Sequence, residues 1–149
     1  MENTMRLSTK VAFALLFLPL VASAQYRDLD AAMANLSRGF GNEEVQAIIA
    51  GVADGEKVML QFPGLTEANG GFIGRDQAAL MLDAMFNRVE ANGFEEVSVR
   101  RASAENQYHI TARWTLTVDG KAQTRDLYIT LRQKSDERWS IASVRAASK

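Results

Sequence analysis

The chain has 149 residues, with 17 basic and 18 acidic side chains, one histidine and no cysteine, and 47 % of it is apolar. That composition excludes a disulfide framework, a cysteine-ligated zinc or iron–sulfur centre, and electrostatic capture of nucleic acid by a basic excess. It is the composition of an ordinary globular domain and not of a disordered chain.

Arg6 and Lys10 precede an apolar run from Val11 to Leu20, and Val21-Ala22-Ser23-Ala24 ahead of Gln25 is a small-x-small cleavage pattern. Charge, apolar core and small residues stand in the order of a secretory signal. The core falls short of the roughly 20 apolar residues that span a bilayer. A buried N-terminal helix is the competing reading, and Met5 serves as well as Met1 as the start. A signal over 1–24 predicts a periplasmic or secreted chain beginning at Gln25. Without a cysteine there, no lipid anchor is expected. The remainder, 25–149, is expected to be one domain, with 15 basic and 17 acidic groups. An oxidising compartment suits a cysteine-free chain, and no cofactor is expected there.

Tyr26, Leu29, Met33, Leu36 and Phe40 recur every three or four residues, which predicts a helix over Tyr26 to Ser37 broken by Gly39-Phe40-Gly41. Asn42 is expected to cap a second helix, with Glu43 and Glu44 in its first turn and Val45, Ile48, Ile49 and Val52 as its stripe. Val58, Leu60 and Phe62 predict a short strand stopped by Pro63-Gly64. A glycine-rich loop over 63–74 follows. Ala78, Met81, Leu82, Met85, Phe86 and Val89 then predict a third helix, with Asn92-Gly93 as its stop. From Phe94 onward the period is two. The order predicts an α+β fold, an antiparallel sheet with helices gathered on one face.

Asp119-Gly120 between alternating runs is a two-residue hairpin signal. It sets Ala112 opposite Leu127, Ile110 opposite Ile129 and Tyr108 opposite Leu131 on one face. Arg113 then meets Asp126, Thr111 meets Tyr128, and His109 meets Thr130 on the other. Apolar residues face apolar ones and opposite charges meet, which a one-residue slip would undo. A second turn over 134–137 predicts Leu131 opposite Ser140, Ile129 opposite Ala142 and Leu127 opposite Val144. It also sets Tyr128 opposite Ser143 and Asp126 between Arg113 and Arg145, unless a bulge shifts the last strand.

On the segments GNEEVQAIIA, GRDQAALMLDAMF and QYHITARWTLTVDGKAQTRDLYITLRQKSDERWSIASVRAA, the chain resembles the nuclear-transport-factor-2-like superfamily. Within it the likeness is to small secreted bacterial members of unknown function. The resemblance covers most of Asp28 to Ala146. It implies a cone, a curved sheet wrapped over about three N-terminal helices, often hollow and often dimeric through the sheet. It is a likeness of pattern and carries no catalytic signature.

Ketosteroid isomerases of that superfamily combine a carboxylate base with a tyrosine and a protonated acid, the arrangement used as a general illustration of pKa tuning. The expected inner face holds Tyr108, Ile110, Ala112, Trp114, Leu116, Arg125, Leu127, Ile129 and Leu131, without an acid. Asp83 and Glu56 are the remaining candidates for a base. Tyr108 is either a phenol donor or an ordinary buried tyrosine with a wet hydroxyl. Ala112, Ser140 and Ala142 either let a helix pack closely or leave room for a small apolar ligand. Such a ligand would lie against Tyr108, Ile110, Ala112, Leu127, Met81, Met85 and Phe86.

Trp114 and Arg125 form either a cation–π pair or, the plainer reading, an indole covered by the arginine stem near the open end of the sheet. A single histidine rules out a multi-histidine metal site, and no metal is expected. No G-x-S-x-G elbow or phosphate loop is present. Thr111, Arg113, Asp126, Tyr128 and Trp139 give the outer face the mixed polar and aromatic character of an interface, so a homodimer through the sheet is expected. The function expected is a non-catalytic binding or interaction module. The alternative is a small cavity enzyme doing acid–base chemistry on an apolar, steroid- or polyketide-like molecule. A structural component of an envelope assembly is a third reading.

Overall fold

A computed structural model describes residues 28–67, 70–102, 106–134 and 137–148. The expected signal, its cleavage site and Tyr26 lie outside the described residues. In chain order the elements are α1 (Leu29–Gly41), α2 (Val45–Ile49), β1 (Lys57–Gln61), β2 (Gly71–Gly74), α3 (Arg75–Phe86), β3 (Val89–Ala102), β4 (Gln107–Val118), β5 (Lys121–Gln133) and β6 (Trp139–Ala146). The strands form one sheet in the order β2-β1-β6-β5-β4-β3. All neighbours are antiparallel except β1 and β6, which run parallel. The sheet is therefore mixed, where alternation had suggested an antiparallel one. The parallel pair arises because the last strand, returning from β5, docks beside the first.

The carboxylate of Asp28 caps α1, accepting from the Ala31 N–H at 2.7 Å. The helix runs on through Gly39-Phe40-Gly41 instead of breaking there. Two contacts hold those residues helical. Phe40 is wholly buried, and at Gly39 the absent side chain admits Ile48, whose Cγ1 would overlap any Cβ. Asn42 closes α1, its N–H donating to the Arg38 carbonyl at 2.9 Å, and does not open α2. Glu44 is the residue before α2, and Glu43 sits at φ 60°. The Glu43 carboxylate accepts from the Ala91 N–H at 2.8 Å, so this acid joins the helical layer to β3.

Part of the glycine-rich loop is an edge strand. β2 pairs with β1, Val58 opposite Ile73 and Met59 opposite Phe72. Gly70, at φ 78°, lies so close to the Leu60 carbonyl that a Cβ would collide with it, which lets the chain double back onto β1. α3 stops at Phe86, closed by Asn87, earlier than Asn92-Gly93. Those two residues lie in β3 at a register shift between Ala91 and Gly93, and a second shift falls between Glu96 and Ser98. Bulges of this kind bend a strand and increase its twist, and here they curve the sheet over the helices.

The β4–β5 hairpin has the predicted register throughout, from Val118 opposite Lys121 to Tyr108 opposite Leu131. The β5–β6 pairing differs from the expectation. Leu127 meets Ala146, Tyr128 meets Arg145, and Ile129 meets Val144; after a shift at Thr130/Leu131, Leu131 meets Ile141 and Gln133 meets Trp139. The extra residue, Ala142, reverses the alternation, so Trp139 and Ile141 turn inward and are buried. Asp126 therefore does not face Arg145. Its carbonyl accepts from the Ala147 N–H at 2.8 Å, and the Arg113–Asp126–Arg145 ladder does not form.

Candidate functional site

Among the described residues, the side chains expected to line a pocket are divided between the packed core and one surface cleft. Ile110, Ala112, Leu127 and Met85 are each at most 1 % exposed and belong to one continuous apolar cluster. Phe86 meets the Trp114 ring edge-on at 6.3 Å, while Tyr108 packs on Trp139 at 4.9 Å. Trp114 is fully buried at the centre of this core and not at the open end of the sheet. Phe40 and Phe62 lie 5.6 and 6.4 Å from its ring, and its indole N–H donates to the Phe40 carbonyl at 2.8 Å. Four aromatic rings thus occupy the middle of the cone. Met81 and Met85 do border a cleft of about 380 Å³, but it opens on the surface between α3 and Leu65, beside the exposed Leu80.

The acid–base candidates are likewise dispersed. Asp83 is exposed on α3, and the exposed Glu56 is paired with Lys134. Among the described residues the buried polar or charged side chains are Arg125 and Ser140, and neither is an acid. The Ser140 hydroxyl donates to the Arg132 carbonyl at 3.4 Å. Arg125 stands opposite Trp114 as expected, and its guanidinium is held by oxygen acceptors. Nε donates to Gln123 Oε1 at 2.9 Å, and Nη1 donates to the carbonyls of Pro63 and Ala147. Loss of solvation on burial lowers its pKa.

The outer face is built from the other alternation. Register carries one row across all six strands: Phe72, Met59, Ser143, Thr130, His109 and Arg100. The adjacent row is Gln61, Arg145, Tyr128, Thr111 and Ser98. Phe72 is 65 % exposed and Tyr128 49 %. Thr111, Arg113, Asp126 and Tyr128 sit on this face as expected; Trp139 does not, because the bulge at Ala142 turns it inside. His109 is exposed, its Nδ1 3.3 Å from Thr130 Oγ1. Arg113 faces Glu95 of β3 at 4.0 Å. Phe72 was not foreseen on this face, because strand β2 is hidden in a segment whose glycines signal only a loop.

No protein-family model matches the sequence, and no curated protein is similar to it. Solved structures are similar in fold. A DUF4783 family protein from Bacteroides fragilis is 18 % identical with a TM-score of 0.59, the match covering 77 % of this chain and 96 % of that one. A ketosteroid isomerase-like protein from Erwinia carotovora is 22 % identical at a TM-score of 0.57, covering 80 % and 93 %. A protein with a ketosteroid isomerase-like fold from Catenulispora acidiphila, in complex with trimethylamine, is 15 % identical at 0.59, covering 79 % and 85 %. The chain has the nuclear-transport-factor-2-like fold. At these identities the likeness is one of architecture, and the nuclear-transport-factor-2-like cone hosts no single chemistry.

Proposed function

We propose that the chain is an exported, non-catalytic binding or interaction module that self-associates through the outer face of its sheet. The observation that carries this reading is the chemistry of the concave face. Proton transfer in a cone needs an acid or base beside the substrate, in a site that shifts its pKa. Here four aromatic rings fill the middle, and the two acids that had remained candidates are exposed. Among the described residues no acid is buried on the concave face, which weighs against the enzyme alternative. Binding is in keeping with the fold, since one protein of this shape forms a complex with trimethylamine.

Self-association is supported by the outer face, a broad surface with Phe72 and Tyr128 exposed among threonines and arginines. Aromatic and arginine side chains in such a setting are characteristic of interfaces. Sedimentation of the purified protein at tens of micromolar is expected to give a dimer, and Tyr128→Glu a monomer with unchanged circular dichroism. A monomer at every concentration overturns the sheet dimer. Isomerisation of an apolar β,γ-unsaturated ketone above the buffer rate, lost in Asp83→Asn or Glu56→Gln, overturns the non-catalytic reading. Export is tested by the mass of the protein in the periplasmic fraction of a bacterial host, expected to correspond to a chain starting at Gln25.

A further inference from the structure

The described residues also form a cleft of about 520 Å³ at the end of the β4–β5 hairpin. It is within the usual size range of small-molecule sites. It lies on the concave side of the sheet, where Gln123 and Arg125 continue the inward alternation of Leu127. Pro63 and Val118 give it apolar wall, and Lys121 and Asp119 border it from the hairpin.

The feature that needs an explanation is Arg125. It is only 7 % exposed, yet among the described residues no carboxylate lies within ion-pair distance of it. Buried charges are normally paired with an opposite charge. This guanidinium has three neutral oxygens instead, from Gln123, Pro63 and Ala147, and all of them engage Nε and Nη1. Nη2 takes no part in those bonds. It stands against Gly64, 3.7 Å from where a Cβ there would be, on the wall of the cleft. Gly64 is at φ 73°, a conformation that keeps this position free of a side chain. The Gln123 side chain and two backbone carbonyls thus hold the guanidinium by one edge, and the two N–H donors of Nη2 are left beside Gly64 where both residues line the cleft.

We propose that this cleft binds a small organic monocarboxylate, with Arg125 as the buried cation that receives it and Lys121 as a second cation at the rim. Charge-assisted N–H···O⁻ bonds are stronger than the neutral ones Arg125 already makes, and they compensate a charge the fold leaves bare. The apolar wall of Pro63 and Val118 suits a short hydrocarbon body. Asp119 at the rim disfavours a second negative charge, which selects a monocarboxylate over a phosphate or a dicarboxylate. The site is on the face opposite the proposed dimer surface and goes beyond that reading.

Calorimetric titration of the purified protein with sodium benzoate, benzamide and inorganic phosphate tests it. Benzoate is expected to saturate with a Kd of about 1 mM or tighter. Benzamide, of the same shape but uncharged, is expected to bind at least about tenfold more weakly, as the lost charge requires. Lys121→Ala, on an exposed residue, is expected to weaken benzoate about threefold through the lost rim charge. Arg125→Met abolishes binding. Because that variant also removes the tie between Pro63 and Ala147, Gln123→Glu provides a second reading. It sets an internal carboxylate on Nε, and is expected to raise the thermal midpoint while weakening benzoate about tenfold or more by competition. Equal binding of benzoate and benzamide, no saturation by benzoate, phosphate binding tighter than benzoate, or a Gln123→Glu protein with undiminished benzoate affinity each overturns the proposal.

Discussion

The two faces of the sheet are made by the same strands and alternate residue by residue, yet they obey different rules. On the concave face every position between Ile110 and Leu116 that points inward is buried to within 1 %. Its aromatic rings meet at 5.6 to 6.4 Å. On the outer face Tyr128 and Phe72 remain 49 % and 65 % exposed, among threonines and charged groups. The inner face is a packing problem with one solution, since close-packed interiors register even a single methylene. The outer face tolerates change and is free to serve association. Substitutions on the two faces should therefore separate by energy, and those at Trp114, Trp139, Tyr128 and Arg113 sharpen or break that separation.

The largest effect is expected at the centre. Trp114→Ala removes the ring that Phe40, Phe62 and Phe86 surround and orphans the Phe40 carbonyl. It should cost about 3–5 kcal/mol in urea unfolding. Next comes the residue whose face the bulge decides. Trp139→Ala should cost about 3 kcal/mol, because Trp139 is buried against Tyr108, whereas Tyr128→Ala on the outer face should stay within about 0.5 kcal/mol when unfolding is followed at concentrations where the protein is monomeric. Similar values for the two in denaturant titrations would dissolve the distinction between the faces.

A smaller effect with an informative sign is expected at Gly39. Alanine is the better helix former by about 1 kcal/mol, but its methyl collides with buried Ile48, and overpacking costs about 1–3 kcal/mol. Gly39→Ala should therefore destabilise by about 1 kcal/mol net. In an Ile48→Ala background, itself destabilised by the lost core side chain, Gly39→Ala should cost less than in the parent, which a double-mutant cycle reads directly. The smallest effect belongs to the surface. The exposed Arg113–Glu95 pair spans 4.0 Å, and Arg113→Ala should change the thermal midpoint by less than about 0.5 kcal/mol's worth, an effect that fades in high salt.

Much of this architecture was legible because it rests on short-range rules. The stripes of α1 and α3 identified helices, and Asp119-Gly120 set every pair of the β4–β5 hairpin. The helix boundaries were harder. Gly39 and Gly41 look like breakers in isolation, and only the burial of Phe40 and the approach of Ile48 keep them helical. The candidate pocket was less legible than the fold. Alternation marked Ile110, Ala112 and Leu127 as inward, but how far rings from Phe40, Phe62 and Phe86 fill the space between them depends on elements distant in the chain. Arg125 could be placed opposite Trp114 from the hairpin alone. Its real partners, Pro63 and Ala147, come from the exit of β1 and the end of β6.

The amino-acid order by itself determined the helical stripes, the faces of β4 and β5 and their register, because periodicity and a two-residue turn act between near neighbours. Tertiary structure decided the rest. β6 took an extra residue so that Trp139 and Ile141 found apolar surroundings, β2 folded onto β1 where Gly70 permits close approach, and β1 joined β6 in parallel inside an open sheet. Each of these outcomes depends on burial against segments far away in sequence, and the free energy of that burial exceeds any local preference that opposes it.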